Sequence, residues 1–108
     1  MSWIVLTLNA TVEKELAALP DDMRARFQQI AGLICEFGLS AVREPLVKHL
    51  HGSLWEIRMR GRDGISRALY VTASRQRVVV VRVFVKKTQK TPAREIELAL
   101  RRAREIEP

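Results

Sequence analysis

Cysteine is almost missing from this chain of 108 residues, which has Cys35 alone. No internal disulfide can form, the paired-cysteine spacing of a zinc site is excluded, and a reducing cytoplasm is the expected compartment. Long apolar runs are missing as well. Nothing approaches the roughly eighteen consecutive apolar residues of a membrane span, so no membrane partner is expected. The opening MSWIVLTLNATVEKE has neither the basic head nor the small-residue cleavage site of a secretory leader. There is no GxSxG, no Walker loop and no dinucleotide fingerprint, which removes the common nucleophile and nucleotide plans. Negative charge is scarce in one region only. Residues 43–90 carry twelve Lys and Arg against Glu44, Glu56 and Asp63, a net of +9. Residues 1–42 have a net of −2, and residues 91–108 are balanced.

With 47% hydrophobic and 29% charged residues, the composition is that of a folded globular protein, and the length suits a single domain over 1–108. The excess charge is contiguous, so it does more than keep the chain soluble. Clustered Lys and Arg bind phosphate-rich partners by displacing their counterions, and a nucleic acid is the partner expected.

Periodicity supplies the elements. SWIVLTL is short, apolar and β-branched, and predicts a strand. Asn9 or Thr11 can cap a helix with Val12, Leu16 and Leu19 on one side. Pro20 ends it. Asp21 and Asp22 then open a second helix, with Met23, Phe27, Ile30, Ile34 and Phe37 as its stripe and Gly38 as its stop. From residue 46 the period shortens to two. LWEIRMR, SRALYVTA and VVVVRVFVKK read as strands separated by the turns GRDG and SRQR, which implies an antiparallel meander. In the last strand Val79, Val81, Val83 and Val85 share a face, with Val80, Arg82, Phe84 and Lys86 on the other. Thr91 as N-cap and Pro92 in first position start a final helix bearing Ile96, Leu100 and Ala103. The expected class is α+β, in the order β-α-α-β-β-β-α. Helices cover one face of the sheet, and a basic concave face displays Glu56, Arg58, Arg60, Arg82, Phe84 and Lys86.

His49 and His51 are spaced to point the same way on a strand, but no third ligand stands at a familiar distance, so no metal is expected. Arg58, Arg67 and Arg82 lie in strands, where a guanidinium can be held rigidly and fork two hydrogen bonds to a phosphate. The alternative for each is pairing with Glu56 across strands or with a helix carboxylate, though the acids of this half are too few to pair them all. Arg62, Arg75 and Arg77 belong to turns. Fixed cations of this kind permit metal-free RNA cleavage, in which a 2′-hydroxyl attacks the adjacent phosphate and the cations stabilise the added charge. A lysine among cations has a lowered pKa and can exchange a proton.

LWEIR, SRALYV and VVRVFVKKTQKTPAREIELALRRA, in this order and spacing, resemble the HigB-type, phage-derived (Gp49-like) branch of the RelE/ParE toxin superfamily. The resemblance covers nearly the whole chain. It implies a toxin of a type II toxin–antitoxin module, an endoribonuclease (mRNA interferase) that cuts mRNA on the ribosome without metal or other cofactor. It also implies a cognate antitoxin, expected to be a helix-turn-helix protein. By position, Arg67 matches the arginine that contacts the scissile phosphate in RelE-like toxins, and Lys86 and Lys87 match the basic pair ending the last strand; these three are the expected catalytic residues. Lys48, His49, Arg58, Arg60, Arg82, Phe84 and Lys90 are the expected RNA-binding residues. The chain departs from the family pattern after Pro92, where no aromatic residue or histidine occurs, so no general acid or base is assigned there. Two other readings stand beside this one: a ParE-like gyrase inhibitor without catalysis, and a basic nucleic-acid-binding accessory protein.

Overall fold

The computed structural model describes residues 2–86 and 90–106. Strand β1 (Ile4–Thr7) is followed by helices α1 (Ala10–Ala17) and α2 (Asp21–Phe37). After a 3-10 turn at Leu39–Ala41 come β2 (Val47–His51), β3 (Leu54–Gly61), β4 (Gly64–Ala73) and β5 (Arg77–Lys86), and then α3 (Ala93–Ala103). The α+β class is as expected, with four strands after the first two helices. The sheet order is β1-β5-β4-β3-β2. Strands β2 to β5 form the antiparallel meander, while β1 pairs with β5 in parallel. Its parallel sense is possible because the chain between β1 and the meander is long enough to cross over, carrying two helices on the way.

Local signals set most boundaries. The Asn9 side chain caps α1 by accepting from Val12 N at 3.1 Å. Pro20 precedes α2 without breaking any of its hydrogen bonds. Gly38 ends α2 at φ 91°, a conformation that costs glycine little. Met23, Phe27, Ile30 and Ile34 are buried along α2, each worth about 1.5–3 kcal/mol by removal from water. Phe37 is not part of that stripe. It sits in the last position of the helix, past the residues that reach the sheet, and is 64% exposed.

Two cores lie on opposite faces of the sheet. Helices α1 and α2 pack on Ile57, Met59, Ala68, Tyr70, Val78, Val80 and Val83. Helix α3 packs on Leu54, Leu69, Val71, Val79 and Val81 through Ile96, Ala99, Leu100 and Ala103. The expectation that all helices share one face is therefore corrected for α3, which takes part of the cationic face. The alternation in β5 also differs from a strict period of two. Leu69 pairs with Arg82 and Tyr70 with Val80, leaving Val81 as the extra residue of a bulge. The bulge reverses the parity, so Val83 joins Val78 and Val80 while Val79 and Val81 face α3.

Candidate nucleic-acid interface

Cross-strand register aligns three rows of side chains on the face that α3 partly covers. Lys48, Glu56, Leu69 and Arg82 form the first row, and Arg58, Arg67 and Phe84 the second. Arg60, Ile65 and Lys86 form the third. Helix α3 packs on the apolar end of this face, leaving the end bearing Arg58, Arg60 and Lys86 outside its footprint. Where helix and open sheet meet there is a cleft of about 380 Å³. Lys48, His49 and Leu50 of β2, Glu56 and Arg58 of β3, and Arg67 of β4 form its sheet side; Lys90, Thr91 and Ile96 close the other.

Glu56 is at the centre of this arrangement, and it is 1% exposed. The sequence reading placed it on the open face; instead its carboxylate is consumed by neighbours. Arg67 Nη1 donates to Glu56 Oε1, and Arg58 Nε donates to the same oxygen at 3.3 Å. Thr91 Oγ1 donates to Oε2 at 2.8 Å. Thr91 was expected as the N-cap of α3, but the helix starts at Ala93 after Pro92, and the hydroxyl turns to the buried carboxylate. An isolated buried charge would be costly, and a buried acid next to two guanidiniums resolves the cost for all three.

Arg67 is 4% exposed. Burial lowers its pKa from the ordinary arginine value, the Glu56 carboxylate opposes this, and the Arg58 charge adds to the lowering. The group remains a cation. Its Nε is buried without a hydrogen-bond partner among the described residues. Lys86 is half-buried. Burial, followed by the charge of Arg67 and with Arg58 and Lys48 contributing, holds its amine below the ordinary lysine value, while Glu56 pulls the other way.

Among the sequence-predicted residues, Lys48, Arg58, Arg60, Arg67, Phe84 and Lys86 come together on one face, with Lys90 and His49 at the cleft wall. The His49 ring donates from Nε2 to Gly52 O at 2.7 Å and tilts against Trp55 with centroids 5.0 Å apart. A bulge between His49 and His51 breaks their shared direction, and no group of three potential metal ligands occurs among the described residues. Lys87 lies outside the described residues. Arg82 shares the face but is not open to a ligand. Its guanidinium is paired with Glu95 at 2.7 Å and Glu15 at 2.8 Å, and lies 5.6 Å from the Phe84 ring centroid. Tyr70, the one tyrosine, faces the α1/α2 core, where burial pushes its hydroxyl up to about 12.

The alternative of pairing with Glu56 or a helix carboxylate is what Arg58, Arg67 and Arg82 adopt. The sequence does not show Glu56 as a buried anchor, nor Thr91 and Glu15 as its counterparts in holding the helices. One signal was available for Glu56: it is an acid between apolar neighbours on a strand, inside a region with almost no other acids. Nothing local marks Thr91 or Glu15, whose partners are 35 and 67 or more residues away.

Comparison with known proteins agrees with this fold. E. coli toxin RelE, solved as a double arginine-to-alanine mutant in the free state, matches with a TM-score of 0.66 at 19% identity, covering 94% of this chain and 98% of that one. The archaeal RelE–RelB complex from Pyrococcus horikoshii OT3 contains a chain matching with a TM-score of 0.58 at 22% identity, over 81% of this chain and 98% of its own. No curated protein matches by sequence. No helix is long and apolar enough to cross a membrane among the described residues. Residues 14–104 match the phage-derived protein Gp49-like family (DUF891), and with the RelE fold around its basic face the chain belongs to that family.

Proposed function

We propose that this protein is the toxin of a type II toxin–antitoxin module and cleaves mRNA on the ribosome without a metal. The observation that carries this reading is the cationic end of the sheet face. There Lys48 and Arg58 line a cleft backed by the buried Arg67–Glu56 pair, and Arg60 and Lys86 lie in the next row of the same face. The RelE fold agrees with it.

In the reaction, the 2′-oxygen of one nucleotide forms a bond to the adjacent phosphorus as the bond to the 5′-oxygen breaks. The products are a 2′,3′-cyclic phosphate and a free 5′-hydroxyl. Arg58 and Lys48 hold the phosphate, and Arg67 adds a fixed positive charge behind them to the more negative transition state. The 2′-hydroxyl proton leaves to water. Lys86, made more acidic by its burial and by neighbouring cations, protonates the departing 5′-oxygen. Geometry imposed by the ribosome supplies in-line alignment, which a shallow open face does not. The antitoxin, a helix-turn-helix protein, lays an acidic segment across the same face and neutralises it by occupying the cationic rows. Toxin and target meet in the cytoplasm.

The test is expression with growth measured, followed by mapping of mRNA ends in a translation extract. Growth arrest with new 5′-hydroxyl ends on ribosome-bound message is expected. Lys86→Ala, Arg58→Ala and Arg67→Ala are expected to reduce cleavage by about a hundredfold or more, as for lost transition-state donors. Arrest with message intact and DNA breaks present would favour the gyrase-inhibitor reading; binding to nucleic acid with neither arrest nor cleavage would favour an accessory protein.

A further inference from the structure

We propose that Glu56 is a positioning residue, whose carboxylate sets the arginine pair and the start of α3 in the geometry that the site requires. The inference rests on the ribonuclease reading above and adds to it an acid that contacts no substrate.

The site poses an electrostatic difficulty. Arg58 and Arg67 are directly opposite each other across β3 and β4. Like charges in that relation repel, and Arg67 is almost wholly buried as well. Left to themselves, the two guanidiniums would splay towards solvent. Glu56 Oε1 accepts from both, which makes one carboxylate oxygen the common anchor of the pair. The other oxygen accepts from Thr91, just ahead of α3, so the same carboxylate ties the far wall of the cleft to the sheet. Both strands of the β3–β4 hairpin and the segment ahead of α3, 35 residues away, therefore meet on one side chain. Every polar oxygen of Glu56 is used, and the residue is too buried to meet a substrate. Its effect must pass through the groups that it holds.

A second consequence separates this role from simple support of the fold. The Lys86 amine feels the charges of Arg67 on β4, Glu56 and Arg58 on β3, and Lys48 on β2. Glu56 is the one acid in that set and opposes the lowering of the Lys86 amine by burial and three cations. Neutralising it makes Lys86 more acidic even where the backbone is untouched.

The experiment compares wild type with Glu56→Gln, Glu56→Asp and Thr91→Val. Folding is checked by thermal unfolding, ribosome-dependent mRNA cleavage is measured against pH, and Lys86 Nζ is titrated by NMR. Glu56→Gln is expected to lose about tenfold or more in cleavage, with the alkaline limb of the pH profile and the Lys86 midpoint both moved to lower pH. Glu56→Asp restores the Lys86 midpoint, because it restores the charge. Thr91→Val keeps the charge and the midpoint but loses cleavage severalfold as the cleft wall is released. A folded Glu56→Gln with an unmoved Lys86 midpoint overturns the proposal, whatever the activity. If Glu56→Gln does not fold, Thr91→Val decides: cleavage equal to wild type overturns the proposal, and a loss at unchanged midpoint supports it. Absence of cleavage in wild type would defeat the ribonuclease reading instead, while the Lys86 titration would still test Glu56.

Discussion

Gly61 closes β3 where the hairpin meets the start of α2, and a Cβ there would come within 2.7 Å of Met23 Cγ and 2.8 Å of Asp22 Oδ1. Asp22 is not free to withdraw, because its carboxylate accepts from Arg62 N at 2.6 Å and from Met23 N at 2.8 Å. Gly61→Ala must therefore move either a core methionine or the contact that fastens the hairpin to the helix. The expected loss is about 1–3 kcal/mol, measured as a lower urea midpoint with an unchanged slope. At the same scale, Arg82 shows why residue type alone misleads. An arginine on the cationic face of the last strand reads as a phosphate ligand, yet it sits between two carboxylates from different helices. Only knowledge of those helices' positions reveals them.

Helix α3 is fastened by more than its apolar stripe. Arg102 donates to Glu15 Oε1 at 3.0 Å and to Val81 O at 2.9 Å, and Glu15 Oε1 also accepts from Val83 N at 3.0 Å. These bonds serve the backbone groups on either side of the β5 bulge, which would otherwise lack ladder partners. Arg82 joins the cluster through Glu15 and Glu95, so α1, β5 and α3 are held by one set of charges. Burial pushes the Glu15 carboxyl up, but the bonds from Arg102 and Val83 N and the charges of Arg82 and Arg102 outweigh it, and the net shift is downward. A carboxylate lowered in the native state stabilises fully above its unfolded value and loses that contribution as pH falls through the native one. Thermal stability should accordingly decline in acid, below the ordinary carboxylate value of 4.5. Glu15→Gln is expected to melt lower than wild type at pH 7 and to show a shallower acid decline. Parallel melting curves of the two proteins from pH 7 to pH 3 check this, and equal slopes would remove Glu15 as the cause.

For the whole molecule, the relevant quantity is how much of the +7 net charge faces one way and remains available. Lys48, Arg58, Arg60 and Lys86 share the open part of one face, whereas Arg82 and Arg102 are consumed inside the structure. Four phosphate contacts to single-stranded RNA would give log K against log salt a slope of about −3, at roughly −0.7 per contact. Replacing Lys48 or Arg60 by Ala should reduce that slope by about 0.7. Arg82→Met should leave it unchanged while lowering stability, measured below the melting range. A slope that falls as much for Arg82→Met as for Lys48→Ala would mean that the ion-pair cluster opens on binding.

The sequence by itself determined the kinds and order of the elements apart from β2, the fourth strand of the meander, because caps, breakers and turns act within a few residues: Asn9, Pro20, Gly38 and the GRDG turn mark real boundaries. It also determined that the positive charge is concentrated in one half, since that requires only counting. Tertiary structure decided which of those charges remain available. A single bulge at Val81 reversed the parity of β5, and no local signal announces where a strand will take up an extra residue. Helix α3 crossed to the cationic face because its stripe fits the valines there, which depends on the register of four strands. Glu56 became an interior anchor once that register brought Arg67 opposite Arg58 and folded Thr91 over the carboxylate. Contacts between residues far apart in sequence depend on register and on helix placement, and those are settled only when the whole sheet has formed.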